Sequence, residues 1–335
     1  MAEPRRYDIR CPRCGSTVVT QMTYADAGKA ALAESMRADP TIWAVGEDLG
    51  RGGVFGQYMG MEDEFGPERI VSAPISEAAI MGSAVGGALT GTRPVVELRF
   101  ADFALCAVDE MVNQAAKARY MFGGQAKVPL VIRQPSGMWR SSAAQHSQML
   151  EAWYAHIPGL VVIMPSTPAD NYGLLKASIE CDDPVVYMEH KDLWGLDGEV
   201  PPDHKVEIGK ASVVSKGSDV TIVTWSKSRH VAADAISKLA GVSVELIDLR
   251  SLWPWDRDCV LSSAARTGHL LVVHEAVRDG GFGAEVVATA AEEIPGLKVA
   301  RLGAPRIPIP YAPPLEDTVR VTADDIAAAV KRIAG

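Results

Sequence analysis

Hydrophobic residues recur along the chain with two periods that alternate from residue 22 onward. Short runs of β-branched and other apolar residues predict strands buried on both faces, over residues 42–46, 95–98, 128–133, 160–164 and 185–188. Between them, apolar residues spaced three and four apart predict helices over residues 24–37, 76–90, 104–120 and 170–180. This alternation is typical of an α/β fold in which helices cover a parallel sheet.

Residues 190–208 interrupt this pattern. Gly195, Gly198, Pro201 and Pro202 stand there among many charged residues, which predicts a linker between domains. A second α/β run follows, with strands predicted over 220–224, 242–247, 270–273 and 299–302 and helices over 227–239, 257–267, 284–294 and 323–333. We therefore expect an extension over residues 1–21, a parallel-sheet domain over 22–190, a linker over 191–208 and a smaller α/β domain over 209–335.

The extension carries a Cys-x-x-Cys pair, formed by Cys11 and Cys14 on a turn with proline and glycine. Half of a zinc ribbon has this form, but the second pair is missing, so a zinc ion would need ligands from elsewhere. The alternative is an extension without a metal. The other thiols, Cys106, Cys181 and Cys259, lie alone in apolar segments and are expected to be small core residues.

Composition limits the classes of function. The 335 residues include 42 acidic and 33 basic side chains, which gives a formal net charge of −9. Such a protein is not expected to bind nucleic acid or an anionic membrane, since both are polyanions. No apolar run reaches the roughly 18 residues that span a bilayer, and the polar N-terminus has no signal-peptide core. Five cysteines, an odd number, favour free thiols in a reducing cytoplasm.

The segment around Glu77 is the first candidate for chemistry. Ser76 is predicted to cap a helix, which places Glu77 in the first turn, where a carboxylate can simply favour the positive end of the helix. The helix continues with Gly82, Gly86 and further glycines, and each interior glycine costs roughly 1 kcal/mol relative to alanine. Small residues four apart allow another backbone to approach, so we expect a tight helix junction, within the chain or across a subunit interface. A carboxylate at its dry edge suits proton transfer, because poor solvation favours the neutral form.

Two further candidates follow predicted strands, where the ligands of parallel sheets gather. His146 lies on the loop that leaves the strand at 128–133, and a histidine there can donate a proton near neutral pH. A hydrogen-bonded structural histidine is the alternative. Phe103 follows the strand at 95–98, and it is either a core residue or a platform against which a flat ring packs.

Short motifs, spread in order from residue 22 to the C-terminus, resemble those of one family. They are Val45-Gly46-Glu47-Asp48, Pro74-Ile75-Ser76-Glu77, Asn113-Gln114-Ala115-Ala116-Lys117, Arg119-Tyr120-Met121, Gln145-His146-Ser147-Gln148, Pro165-Ser166-Thr167-Pro168, Asp183-Pro184-Val185 and Asp248-Leu249-Arg250. The chain resembles the β subunits of thiamine-diphosphate-dependent E1 components of 2-oxoacid dehydrogenases, of the pyruvate, branched-chain 2-oxoacid and acetoin types. The resemblance implies a pyrimidine-binding parallel-sheet domain followed by a smaller transketolase C-terminal-like α/β domain.

The resemblance also implies an activity and partners. The enzyme, an oxidoreductase, would decarboxylate a 2-oxoacid, or cleave an acyloin or diketone, and pass the acyl group to the lipoyl arm of an E2 acyltransferase. It would be an α2β2 heterotetramer whose E1 α subunit holds the diphosphate and Mg²⁺ through a Gly-Asp-Gly motif. This chain has no Gly-Asp-Gly sequence, so alone it would hold only half of the cofactor.

Site residues carry over from the resemblance position by position. Glu77 matches the glutamate that hydrogen-bonds the aminopyrimidine ring nitrogen of thiamine diphosphate, and Phe103 matches the aromatic residue that packs against that ring. His146 matches the histidine near the thiazolium, expected to donate a proton during transfer to lipoamide. Ile75 and Arg99 would also line the cofactor. Five positions match those that hold a structural K⁺ ion in some members, mostly through backbone carbonyls: Leu130, Ser178, Ile179, Cys181 and Asp183.

Two departures from the family pattern concern the substrate. Arg99 stands where the family often has Gln or Met, and it could bind a substrate carboxylate or turn into an ion pair. Trp139 and Arg140 stand in a loop, before His146, that is usually rich in glycine and small residues. We therefore predict a substrate unlike pyruvate, or a changed entrance for the lipoyl arm. The alternatives are a transketolase-type subunit without a lipoyl partner and a scaffold subunit without catalysis.

Overall fold

The structure is a computed structural model that describes residues 19–53 and 55–335. The predicted zinc ligands Cys11 and Cys14 lie outside the described residues.

Seven strands form the larger sheet: β2 (Ile42–Glu47), β3 (Ile70–Ala73), β4 (Arg93–Glu97), β5 (Val131–Ser136), β6 (Val161–Ile163), β7 (Val185–His190) and β12 (Ser251–Trp253). Their order is β12-β6-β7-β5-β4-β2-β3. All neighbouring pairs are parallel except β12 and β6. Alternate residues face opposite sides, so Val95 and Val131 enter one apolar cluster while Val96 and Ile132 enter another.

Helices cover both faces of this sheet: α1 (Tyr24–Ala38), α2 (Met61–Phe65), α3 (Glu77–Leu89), α4 (Ala116–Met121), α5 (Glu151–Ala155) and α6 (Pro168–Glu180). Helices α1 and α6 pack against each other on one face. Each begins at a threonine, Thr23 or Thr167, whose hydroxyl accepts a hydrogen bond from the backbone N–H three residues later. On the other face, Ile80 and Met81 of α3 pack against the strands.

The predicted helix over 104–120 is not a continuous α-helix. A 3₁₀ turn (Phe103–Ala107) comes first, a π-helical segment (Glu110–Ala115) follows, and only Ala116–Met121 winds as an α-helix. Ala104, Met111 and Ala115 are buried, so the apolar spacing identifies the inward face. Spacings of three and four do not distinguish among these three windings over so short a stretch.

Five strands form the second sheet: β9 (Ser212–Ser215), β10 (Val220–Thr224), β11 (Val244–Asp248), β13 (His269–Val277) and β14 (Lys298–Ala304). Their order is β14-β13-β10-β11-β9, and β9 alone among these strands is antiparallel to its neighbour. The helices of this half are α7 (Ser228–Ser237), α8 (Arg257–Thr267), α9 (Gly283–Glu293), α10 (Pro313–Val319) and α11 (Ala323–Ala334).

The two halves are joined by more than the chain that connects them. Within residues 191–208, predicted as a linker, strand β8 (Asp197–Val200) pairs antiparallel with β1 (Thr20–Thr23). Strand β12 leaves the second half and pairs with β6 at the edge of the larger sheet. One apolar cluster contains Tyr154 of the first half together with Trp225 and Leu252 of the second. The packing therefore continues from one half into the other.

The three cysteines within the described residues are free thiols. Cys106 is exposed, while Cys181 and Cys259 are half-buried, so the prediction that all three are core residues is wrong. Cys106 lies on the outer side of the 3₁₀ turn whose Ala104 and Ala107 point inward, and a small side chain is tolerated there. Among the described helices, none has both the length and the hydropathy that crossing a bilayer requires.

Candidate active site

Five neighbouring strands of the larger sheet end at one edge, which we call the strand-end edge. They are β7, β5, β4, β2 and β3, and each is parallel to the next. Ligands of parallel sheets bind at the carboxyl ends of their strands. Polar and aromatic residues follow or end these strands in this order: Lys191, His146, Arg99, Phe100, Phe103, Glu47 and Glu77.

Glu77 is the first residue of α3, just after the turn that leaves β3. Its side chain is half-buried and forms no hydrogen bond or ion pair with residues 19–53 or 55–335. The prediction that Ser76 caps α3 is wrong, because the Ser76 hydroxyl donates instead to the carbonyl oxygen of Pro74 at 3.2 Å. Beside it, the Ile75 side chain is 75% exposed. This end of α3 therefore offers a carboxylate and an apolar side chain to a ligand or a partner.

Phe103 and His146, which the sequence singles out separately, lie together in the structure. The ring centre of His146 is 5.1 Å from that of Phe103 and 4.8 Å from that of Phe100, both in edge-to-face contact. The Gln148 side chain donates to Asp102 Oδ1 at 2.8 Å, which ties the His146 loop to the segment after β4. The structure thus holds an imidazole against two partly exposed aromatic rings at the strand-end edge.

Lys191 belongs to this group, although the sequence patterns do not single it out. It follows β7 and is almost fully buried. Its Nζ atom lies 4.7 Å from the centre of the Phe100 ring and donates a hydrogen bond to the carbonyl oxygen of His146. Burial lowers the pKa of Lys191 to about 8. One feature of the sequence could have identified Lys191: charged residues follow directly after a buried strand, which is unusual for a linker.

Arg99 forms ion pairs with Glu47 and Asp48, and its Nη2 atom lies 2.5 Å from Asp48 Oδ2. Burial raises the pKa of Glu47, the Arg99 charge lowers it, and Glu77 and Asp48 raise it again. Glu77 and Glu47 are therefore electrostatic neighbours across the ends of β3 and β2. Of the two roles considered for Arg99, the structure shows the ion pair.

A second aromatic cluster adjoins the first. Phe55 lies 4.4 Å from Trp194 and 5.9 Å from Trp139, measured between ring centres, and 5.6 Å from Phe100. The loop that carries Trp139 has positive φ angles at Arg140 (47°), Ser141 (54°) and Ala143 (64°). Side chains with a Cβ atom rarely adopt this conformation. Trp139, the bulky residue of the predicted entrance, is thus packed among aromatic rings, and we call this cluster the packed wall.

The positions considered for K⁺ lie away from this edge, around the end of α6. The carbonyl oxygens of Ile179 and Cys181 accept hydrogen bonds from Arg93 Nη1 at 2.9 and 3.1 Å. Within the described part of the chain, no cluster of three or more His, Cys, Asp or Glu side chains is arranged to hold a metal ion.

A cavity of about 1220 Å³ lies between the two halves of the chain. Its lining is largely apolar and includes Met149, Trp153, Phe282 and Ile307. Glu77, Phe103 and His146 do not line it. It borders the loop that carries His146, however, because Ala144, Ser147 and Gln148 line it.

Two family models match the chain. The transketolase pyrimidine binding domain matches residues 20–195, and the transketolase C-terminal domain matches residues 209–326. The β subunit of 2-oxoisovalerate dehydrogenase from Bacillus subtilis is 40% identical over 322 residues, which are 93% of this chain and 98% of that protein. The β subunit of acetoin:2,6-dichlorophenolindophenol oxidoreductase from Cupriavidus necator is 42% identical, over 90% of this chain and 94% of that protein.

A pyruvate dehydrogenase E1 component subunit β-2 from Oryza sativa is 41% identical, over 96% of this chain and 88% of that protein. Among solved structures, the inactive β4 tetramer of a split-gene transketolase superposes with a TM-score of 0.79. It is 25% identical and covers 93% of this chain and 98% of that one. The family models, the relatives and the fold agree, and the chain belongs to the transketolase-like family of E1 β subunits that its motifs indicate.

Proposed function

We propose that the chain is the β subunit of a thiamine-diphosphate-dependent E1 enzyme. The enzyme decarboxylates a 2-oxoacid, or cleaves an acyloin or diketone, and transfers the acyl group to lipoamide. One observation carries this proposal. The carboxylate of Glu77, unpaired within the described residues, lies at the same edge of the sheet as the contact between the Phe103 and His146 rings. Relatives about 40% identical over almost the whole chain support it.

The residues at this edge fit the pyrimidine half of thiamine diphosphate. Glu77 has a carboxylate without a partner in the described chain, able to hydrogen-bond a ring nitrogen, and Phe103 is only partly buried, so its ring remains open to packing. Ile75, which is exposed, would add an apolar contact. Arg99 would act beside the cofactor through Glu47, since its guanidinium is engaged there. When bound, the cofactor supplies an electron sink for cleavage next to a carbonyl.

His146 is the proton donor of this proposal. A protonated imidazole can donate its proton to an oxygen or sulfur atom of the reacting groups. Contacts with Phe100 and Phe103 fix its ring, and Lys191 holds its backbone carbonyl. The packed wall around Trp139 adjoins, through Phe55, the Phe100 ring that contacts His146, which supports a substrate unlike pyruvate or a changed entrance for the lipoyl arm.

A partner subunit is part of the proposal. A Cβ atom added at Gly86 of α3 would meet no atom within 4 Å, and one added at Gly82 would meet only the Glu110 side chain at 3.9 Å. The bare face of α3 therefore has room for another backbone. Tyr120 and Met121 add apolar side chains that are 85% and 72% exposed. We propose an α subunit here, in an α2β2 heterotetramer, which supplies the diphosphate and Mg²⁺ contacts that this chain lacks. An E2 acyltransferase would accept the acyl group.

The cytoplasm is the compartment that we propose. Cys106, Cys181 and Cys259 are free thiols, and free thiols persist in a reducing compartment.

Glu77→Gln, in the complex assembled with the α subunit, tests the function. We expect an unchanged circular dichroism spectrum and a loss of roughly 10²–10⁴-fold in 2-oxoacid-dependent ferricyanide reduction across a substrate panel, because the amide cannot exchange a proton with the ring. Exchange of the thiazolium C2 proton should slow equally. Glu285→Gln is the matched control, since Glu285 also lies in the first turn of a helix, α9, away from the strand-end edge. Near-normal C2 proton exchange in Glu77→Gln would show that the assigned role is wrong.

The two alternatives give different results in the same complex. A transketolase-type subunit would support ferricyanide-linked turnover but no transfer to lipoamide. A scaffold subunit would show no thiamine diphosphate binding, with or without its partner. The solved transketolase relative is 25% identical, whereas the E1 β relatives reach about 40%, which favours the lipoyl-linked function.

A further inference from the structure

A guanidinium occupies the cation position at the C-terminal end of α6. Arg93, the first residue of β4, donates through Nη1 to the carbonyl oxygens of Ile179 and Cys181, at 2.9 and 3.1 Å. Its Nη2 atom lies 2.9 Å from Asp182 Oδ1. These two carbonyls are among the positions that the family resemblance assigns to K⁺. We propose that the Arg93 side chain permanently replaces the monovalent cation, so that this chain needs no K⁺ to fold.

The other positions assigned to K⁺ are also engaged. The Leu130 carbonyl oxygen accepts a hydrogen bond from the backbone N–H of Val185 at 2.8 Å, within the sheet. The Ser178 carbonyl oxygen accepts one from the backbone N–H of Cys181 at 3.3 Å. The Asp183 carboxylate accepts one from Arg119 Nε at 2.5 Å. An added ion would have to share each of these groups.

The charges around this site also disfavour an added cation. Asp182 and Asp183 are its carboxylates, while Arg93, Arg119 and Lys127 are paired with them as cations. Hydrogen bonds from Lys127 and Arg93 lower the pKa of Asp182. The Asp39 carboxylate, whose pKa is lowered by hydrogen bonds from Thr41, also interacts with the charge of Arg93. The carboxylates at this site are therefore already paired with cations of the chain itself, and a K⁺ ion would have to compete with them.

The guanidinium suits this position better than an ammonium would. It is planar and presents several N–H donors in fixed directions, so one side chain reaches two carbonyls and one carboxylate at the same time. The last carbonyls of a helix carry partial negative charge that a cation stabilises. The stability that a bound ion adds to a fold increases with the logarithm of the ion concentration. A charged side chain is part of the chain, so its contribution does not depend on which ions the solution contains. The inference concerns the folding of this chain and does not rest on the proposed activity.

The test compares unfolding temperatures in potassium, sodium and choline chloride at one ionic strength. It uses the full chain, alone and assembled with its α subunit. We expect the wild type to unfold at the same temperature in all three salts. Arg93→Met should unfold at a lower temperature in choline and regain part of the loss in potassium, because the vacated carbonyls and carboxylates then accept the ion. Arg37→Met is the matched control, since Arg37 forms an exposed pair with Glu64 at 2.5 Å, and it should show no preference among the salts.

Equilibrium dialysis against rubidium, a K⁺ analogue, adds a direct readout. We expect no saturable binding to the wild type and saturable, K⁺-displaceable binding to Arg93→Met. Saturable binding to the wild type, or a rise in its unfolding temperature specific to potassium, would overturn the proposal. An Arg93→Met variant that matches the wild type in both measurements, or that loses stability without binding the ion, would overturn it equally.

Discussion

At the residue scale, Lys191 contacts the segment that carries the candidate proton donor, His146. Its ammonium is buried, stands over the Phe100 ring and holds the His146 carbonyl oxygen. The charged groups that face it are Asp102, Glu275 and Glu316, and all three favour its protonated form, whereas burial opposes it. The charge therefore persists at neutral pH and is lost as the pH rises through about 8.

This geometry predicts that Lys191 positions His146 and gives the enzyme an alkaline limit. In the assembled complex, Lys191→Met should lower kcat for lipoyl-linked turnover by roughly 10-fold or more, since one buried charged hydrogen bond is worth about 1.5–3 kcal/mol. The Kd for thiamine diphosphate should change little. Wild-type kcat should fall above pH 8, and Lys191→Arg should keep activity while moving that fall to higher pH, because arginine does not lose its proton there.

Lys176→Met provides the control for Lys191. Lys176 also stands over an aromatic ring, that of Tyr172 at 4.9 Å, and it lies on α6, away from the strand-end edge. Its removal should leave the pH profile of kcat unchanged. An alkaline limit that is identical in the wild type and Lys191→Arg would exclude Lys191 as its source.

Residue types in the sequence identify part of this site. Glu77, Phe103 and His146 stand out because each follows a predicted strand or opens a helix, and the resemblance assigns each a role. Lys191 does not stand out, because its importance depends on a hydrogen bond to residue 146 and on burial beneath Phe100, and both are tertiary. The sequence does not reveal the ion pairs of Arg99 either, because they form only when β2, which carries Glu47, lies beside β4.

At the scale of elements, a buried ionic network joins the strands that carry the site. Arg133 of β5 is fully buried, and its Nη2 and Nε atoms lie 2.7 and 2.9 Å from Glu189 Oε2 on β7. Its Nη1 atom lies 3.5 Å from Glu97 Oε2 on β4 and donates to the Tyr58 hydroxyl at 3.2 Å. Arg133 thus links β4, β5 and β7 close to the strand-end edge.

Breaking this network should cost much more than an average mutation. Arg133→Met leaves Glu189 charged and without its partner in the core, so we expect the free energy of unfolding in urea to fall by about 3–5 kcal/mol. The double variant Arg133→Met/Glu189→Met should recover part of the loss, because it replaces the ion pair with apolar groups. A loss below about 1 kcal/mol for the single variant would mean that Glu189 finds water or another partner.

The sequence predicts best the helices and strands in which the spacing of apolar residues follows directly from which side is buried. Strand β10 and helix α8 have the predicted bounds, and the central strands of the larger sheet differ from prediction by a few residues at their ends. The sequence pattern does not predict strands β1, β3, β8, β9 and β12, which have three or four residues each. In β8 the sequence Asp-Gly-Glu-Val is largely polar, and its partner β1 lies more than 170 residues away. The pairing of β1 with β8 therefore depends on tertiary structure, and no local period expresses it.

At the scale of the whole molecule, Glu151 lies where the two halves meet. It opens α5 in the first half, is fully buried, and accepts a hydrogen bond from Trp225 Nε1 of the second half at 3.2 Å. Its other oxygen has no partner within the described residues. Burial raises the pKa of Glu151 to about 7 from 4.5. The contact between the halves therefore holds a proton at mildly acidic pH.

This proton makes the joint between the halves sensitive to pH. Between pH 4.5 and about 7 the Glu151 carboxyl retains a proton in the folded chain that it has released in the unfolded chain, so the contribution of Glu151 to the free energy of unfolding falls as the pH rises through this window. Glu151→Gln keeps the acceptor for Trp225 but carries no charge. We expect it to be more stable than the wild type at pH 8, by about 1–3 kcal/mol at roughly 1.4 kcal/mol per pKa unit, and to gain little at pH 5.

Urea unfolding at a series of pH values measures both, with Glu180→Gln, an exposed change at the end of α6, as control. Burial also raises the pKa of Glu97 and Asp248 to about 7, so the variant should retain part of the slope. A slope equal to that of the wild type would show that Glu151 is ionised at the joint throughout the window.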